Sequence, residues 1–270
     1  MSAKPLDTLD GVQRFITGDN AFRILVATST NMVREATTIA STGPVVGDLY
    51  GRLLTGAALL QLAQSPAHRV QVTLKHDGSA GNCLADVWPG VAVRGRVEHP
   101  KATALPVLGS GQLQVSRIRA EGVGELYQSI VPIPDASIAN ALQRFMLDSE
   151  QILSLFSMAT VWKNNALVRS GGLIIQALPE MLHEHLETLT DVLSKASFED
   201  LVEAGDTPFD AAKALLSPLD LIHLGNDPLR YECRCSQAVA VRAVMTLSPD
   251  ELDAIRDGGQ EEVRCDFCGA

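Results

Sequence analysis

Cys233-Arg234-Cys235 and Cys265-Asp266-Phe267-Cys268 decide how this chain is organised, and they hold four of its five cysteines. Thiolates two or three residues apart can grip one tetrahedral metal ion, and zinc is the usual occupant of an all-sulfur site. The same closeness lets neighbouring thiols join as disulfides, so metal binding and redox response are both open. Between Cys235 and Cys265 lie 29 residues, a wider gap than in common zinc ribbons, with room for inserted helices. Ser236 is placed to cap a helix running to about Met245. Ser248-Pro249-Asp250-Glu251 is a capping box with proline at the first helical position, and Gly258-Gly259 is suited to end that second helix. Residues 231–270 are too few to build a stable core alone, so a metal staple is the expected support.

Upstream of this tail, residues 1–180 read as a mixed α/β domain. Phe22 to Thr28 is a strand candidate. Val45 to Ala63 repeats Leu49, Leu53, Leu54, Ala57, Ala58 and Leu60 at helical spacing, which predicts a buried helix. Val70, Val72 and Leu74 alternate with polar neighbours as a half-buried strand does. Further strands are expected at Cys83 to Val87, Val91 to Val97, Leu113 to Ile118 and Leu126 to Ile133. Short strands joined by Gly and Pro turns favour an antiparallel sheet over repeated βαβ units. Ile138 to Phe156 reads as a helix, and Ala166 to Leu178 as a strand broken at Gly171-Gly172. The expected fold class is therefore α+β: a core with antiparallel sheet and helices, a helical linker and a small C-terminal zinc-binding domain.

The linker, residues 181–230, has its own texture. Leu182, Leu186, Leu189 and Val192/Leu193 form an apolar stripe, with Glu184, Glu187 and Asp191 on other faces. Phe198, Leu201 and Val202 continue it, Gly205 to Pro208 interrupt it, and Leu215, Leu216, Leu219 and Leu221 resume it. Here 3 basic side chains face 10 acidic ones, and the tail holds 4 against 8. Short helices alone in water are marginal, so this self-repelling stretch needs support from something it leans on.

The composition excludes several functions. An overall charge of −10, concentrated in linker and tail, argues against nucleic acid as a partner. No basic-then-apolar leader is visible at the start, and the best apolar run, Val45 to Leu62, is interrupted by Asp48 and Arg52. No membrane association and a cytosolic location are expected, where paired cysteines bind metal or do redox work. Cys83 reads as a buried small residue, His183 and His185 as surface residues of a linker helix, and His76 as a turn residue. Gly109 to Gly111 lacks the rest of a nucleotide-binding fingerprint. Asp148, Glu150 and Glu180 read as surface or capping groups rather than an acid/base pair, so no enzyme is expected.

Taken together, Tyr231-Glu232-Cys233-Arg234-Cys235-Ser236 and Val263-Arg264-Cys265-Asp266-Phe267-Cys268 resemble the switch region of the redox-regulated 33 kDa chaperonin family of heat-shock proteins. Val93-Arg94-Gly95-Arg96-Val97, Gly109-Ser110-Gly111-Gln112-Leu113, Ser149-Glu150-Gln151 and the Gly171-to-Pro179 segment resemble core signatures of that family, in the same order. The resemblance implies an ATP-independent holdase, inactive when reduced and zinc-bound through Cys233, Cys235, Cys265 and Cys268. It further implies that oxidation forms Cys233–Cys235 and Cys265–Cys268 bonds and releases zinc. The linker then loosens, unfolding client proteins bind, and the active form is a homodimer. Phe145 stands where a tyrosine is usual and Ser129 where a glycine is common. The sequence stops at Ala270, where relatives carry an aromatic-containing segment, and looser zinc is the expectation. Cysteine chemistry alone also leaves open a protein-interaction module with a purely structural zinc, or a thiol-disulfide oxidoreductase.

Overall fold

Helix Pro44–Gln64 is apolar nearly all round because it runs between two β-sheets and meets side chains on every side. The computed structural model describes residues 9–64, 66–119, 126–258 and 264–270. In chain order the elements are β1 (Gly11–Thr17), β2 (Phe22–Thr28), α1 (Thr30–Ile39), α2 (Pro44–Gln64), β3 (His68–His76), β4 (Cys83–Trp88), β5 (Ala92–Val97) and β6 (Gly111–Arg119). They continue with β7 (Tyr127–Pro132), α3 (Ile138–Glu150), β8 (Ser154–Lys163), β9 (Ala166–Ala177), α4 (His183–Lys195), α5 (Phe198–Ala204) and α6 (Pro208–Leu215). The last elements are β10 (Leu221–Pro228), β11 (Arg230–Tyr231), α7 (Gln237–Val244) and α8 (Pro249–Gly258).

One sheet has the order β10-β1-β2-β9-β8 and is antiparallel throughout. The other runs β11-β5-β4-β3-β6-β7 and is antiparallel except for the β11–β5 pair. Helices α1–α3 fill the space between the sheets, and α4–α6 cover the far side of the five-stranded sheet. That sheet is therefore buried on both faces. Along β2 the alternation is strict: Leu25 and Ala27 join the inner core, whereas Ile24 and Val26 face the outer helices.

The expected α+β class is what the structure shows, with local differences. The helix expected over 138–156 stops at Glu150, where Gln151 takes a left-handed conformation (φ 58°). Ser154 already begins β8, because the apolar residues beyond it pair with β9. The strand expected to break at Gly171-Gly172 runs through unbroken. Its two glycines face opposite ways. A Cβ on Gly172 would come within 2.9 Å of Leu59 and Thr55 of α2, while one on Gly171 would run into Pro208 at the start of α6. Absence of side chains lets a helix approach closely from each side. The helical pattern expected to resume through Leu219 and Leu221 ends at Leu215, and Leu221 opens strand β10. β1, α1 and β8 had no counterpart in the sequence reading.

Outside the core, Phe198, Val202, Ala211, Leu215 and Leu216 are buried against the five-stranded sheet. Each large apolar side chain covered in this way is worth roughly 1.5–3 kcal/mol. A polar tie joins this cover to α2: Arg52 donates to Glu199 of α5 at 2.9 Å and also pairs with Asp48. In the tail, Ser236 Oγ accepts from Val239 N at 3.3 Å, and Ser248 and Glu251 form the reciprocal cap expected of them. Gly259 and Val263 lie outside the described residues.

Candidate metal centre

The first cysteine pair is delivered directly by a strand. Tyr231 of β11 pairs with Val93 of β5, and Glu232 N donates to Val93 O at 2.8 Å, so Cys233 leaves the sheet edge with its direction fixed. The second pair sits on a tight turn in which Gly269 N donates to Cys265 O and Cys265 N to Ala270 O, both at 2.8 Å. Tyr231 joins the halves: its side chain is buried and its hydroxyl donates to Phe267 O at 2.7 Å.

Among the described residues, Cys233, Cys235, Cys265 and Cys268 form the one group of metal-ligating type, with all four sulfurs within 4.8 Å of one another. Two sulfur contacts run across the pairs, 3.6 Å from Cys233 to Cys265 and 3.3 Å from Cys235 to Cys268. A tetrahedral zinc site with Zn–S near 2.3 Å has sulfur edges of about 3.8 Å. A disulfide needs about 2.05 Å. All four are free thiols in a cage of the right size for one ion, and the all-sulfur donor set is compatible with zinc.

Neighbouring groups separate Cys233, Cys235 and Cys265. Burial raises the Cys265 pKa, but the Phe267 and Cys268 N–H groups and the Cys233 and Cys268 thiols favour its thiolate and bring it down to about 7. Cys235 is pushed up to about 12, chiefly by its hydrogen bonds to Cys268 and Cys233. Burial is the main cause that raises Cys233.

The centre rests on the outer face of β4 and β5 through residues that the sequence reading passed over. Asp86 is fully buried and takes hydrogen bonds from Arg69 (2.6 and 2.9 Å) and Arg94 (2.8 Å). The Arg94 guanidinium lies 3.9 Å from the Phe267 ring centre. Trp88 is flanked by Arg69 at 4.8 Å and Arg234 at 4.4 Å. One signal was available: Asp86 is a lone charge in the apolar run Leu84-Ala85-Asp86-Val87-Trp88. A charge inside a strand needs a partner when buried.

The other candidates lie elsewhere. Cys83 is buried, and burial followed by nearby Glu98 pushes its thiol up to about 12, the profile of an inert core cysteine. His76 Nδ1 accepts from Gly78 N at 3.0 Å and braces its turn. His183 lies 3.3 Å from Glu187, and His185 Nδ1 accepts from Leu182 N at 3.1 Å. Glu150 pairs with Arg117 at 2.8 Å and Asp148 with Arg144. Ser129, at the position where the resemblance expects glycine, shares a 2.6 Å hydrogen bond with Ser149. Among the described residues, no helix is long and apolar enough to cross a membrane.

Comparison with known proteins agrees with this geometry. The profile of the Hsp33 protein family matches residues 10–270. A 33 kDa chaperonin of Thermus thermophilus is 31% identical, the alignment covering 96% of this chain and 82% of that protein. One from Desulforamulus reducens is 28% identical, over 96% and 92%. The crystal structure of a 33 kDa chaperonin from Thermotoga maritima shares the fold with a TM-score of 0.85 at 23% identity, covering 97% of this chain and 93% of that one.

Proposed function

The chain belongs to the Hsp33 family of heat-shock chaperones, and on that premise we propose that it is a holdase switched by oxidation of its four clustered cysteines. The observation that carries the reading is continuity. Strand β10, which follows the cover and pairs with β1, passes through Leu229 into β11, and β11 leads straight into Cys233. What happens at the sulfurs is therefore felt where the cover is anchored.

Cys233, Cys235, Cys265 and Cys268 are the residues to hold zinc. Zinc bound there would keep the sulfurs as thiolates and reinforce the link between two chain segments that otherwise meet through the Tyr231–Phe267 hydrogen bond. Oxidation is proposed to join Cys233 to Cys235 and Cys265 to Cys268. In each pair one S–S bond forms, two electrons pass to the oxidant, and with peroxide the O–O bond breaks and takes up two protons from water to give two waters. Bonds within pairs add no covalent link between the halves, whereas bonds made across the 3.6 and 3.3 Å cross-pair contacts would have linked them. Only the within-pair outcome undoes the staple.

Residues 1–180 then act as the chaperone core, 181–230 as the marginal cover and 231–270 as the switch. Lifting α4–α6 uncovers Phe15, Ile24, Val26, Leu173 and Ile175, an apolar surface for partly unfolded clients, in a protein proposed to work in the cytoplasm as a homodimer. The test is to load the reduced chain with zinc, add peroxide, and follow metal release with aggregation of a thermally unfolding client. Release of about one zinc per chain with suppressed aggregation is expected. Release without holdase activity, or catalytic turnover of a disulfide substrate, would replace this reading.

A further inference from the structure

Arg94 stands where sheet and cysteine centre meet, and it touches both. Its Nε donates to Asp86 Oδ2 at 2.8 Å, its guanidinium stacks on Phe267, and its cationic head faces the Cys233 sulfur. Phe267 lies between Cys265 and Cys268, and Cys233 belongs to the other pair, so one cation reaches both halves of the centre.

The sheet fixes that cation. Asp86 is fully buried and is also gripped by Arg69, so the Arg94 guanidinium is oriented by β3 and β4 whether or not the cysteines are assembled. A partner held in place beforehand loses little freedom when Phe267 docks on it. Four thiolates around a divalent ion carry excess negative charge, and a guanidinium beside one of them offsets it. The neighbouring Arg96–Asp266 pair is exposed and 3.2 Å long, too weak and screened to do the same.

We propose that Arg94 is a positioning residue for the cysteine centre: anchored on Asp86, it seats the Cys265–Cys268 turn through Phe267 and sets how fast the metal departs. The proposal rests on these cysteines being metal ligands. It makes Asp86, Arg94 and Phe267 a unit that tunes the switch without donating a ligand.

The experiment uses the reduced, zinc-loaded full chain and measures zinc transfer to an excess of a chromogenic chelator. R94Q should lose zinc about ten-fold faster, and F267L, which leaves the Asp86–Arg94 pair in place, about three-fold faster. The R94Q/F267L double variant should be no faster than R94Q, since the ring has then lost its cation. Hydrogen exchange at the Glu232 amide should quicken in F267L while β3 and β4 stay protected, a pattern that general destabilisation does not give. Wild-type rates in both single variants, or a double-variant rate equal to the product of the single effects, overturn the proposal. A separate peroxide arm judges the redox reading alone: wild type that keeps its zinc in peroxide ends that reading, while the chelator rates still decide the role of Arg94.

Discussion

The five-stranded sheet has two apolar faces and two very different covers. On the inner face lies α2, with 15 of its 21 residues buried and a second sheet behind it. On the outer face lie α4–α6, amphipathic helices in a stretch where 10 acidic side chains oppose 3 basic ones. Neighbouring residues of one strand serve both, Leu25 inward and Ile24 outward. On the proposed function, the sheet does not decide which cover is removable. The cover does, through its charge, its length and what else holds it.

Metal removal should separate the faces most sharply. Chelation together with peroxide, or C268S alone, should abolish amide protection in β11 and α4–α6 while α2 and β9 keep theirs, as hydrogen exchange would show. The support at stake is large, since structural zinc supplies ~10–16 kcal/mol in small metal-dependent folds. If α2 lost protection in step, the two covers would be one cooperative unit and the comparison would fail.

Cavity variants come next. L54A removes a fully buried inner side chain and should lower the stability of the whole core by ~3 kcal/mol, read as a fall in thermal midpoint. V202A, equally buried but on the outer side, should loosen α5 and raise binding of an apolar dye, leaving the main thermal transition nearly unmoved. Equal midpoint shifts would show that both covers belong to the core.

The paired glycines sharpen this further. G172V drives a side chain into Leu59 and Thr55 and should cost the core ~1–3 kcal/mol. G171V meets Pro208 and the Ala27 carbonyl of β2 instead, and should lift α6 at some cost to the sheet, giving partial holdase activity in reduced protein. Client-aggregation assays of both variants, without oxidant, distinguish the faces one residue apart. The smallest effect is expected from R52Q. It breaks the tie to Glu199, a half-exposed pair worth ~1 kcal/mol at most, and should lower the oxidant dose for half-activation only slightly.

Much of this was legible because it is local. The cysteine spacing, the caps at Ser236 and Ser248 and the apolar repeat of α2 each sit within one stretch of sequence. β1 escaped notice because its buried positions, Val12, Phe15 and Thr17, do not alternate cleanly, with a register shift between Arg14 and Phe15. α1, with Thr30, Val33, Thr37 and Thr38, carries β-branched residues that blur a helical pattern. Residues 151–163 were ambiguous because a short apolar run fits helix or strand equally, and pairing with β9 decides. The Gly171-Gly172 pair looked like a break because glycine weakens an isolated strand, whereas here close helices need its bareness. At the site, the ligands could be read but their seat could not, since Asp86, Arg94 and Phe267 meet only in space.

Strand β10 has one more effect. It is stitched along β1 from Leu221 to Pro228, and β9 ends at Ala177, so the segment between them is moored to the sheet at both ends. A detached α4–α6 would be a closed loop hovering over the surface it left, at millimolar local concentration for a short flexible span. Any bound polypeptide must outcompete that captive rival, which favours many weak contacts over one tight one and lets re-covering drive release.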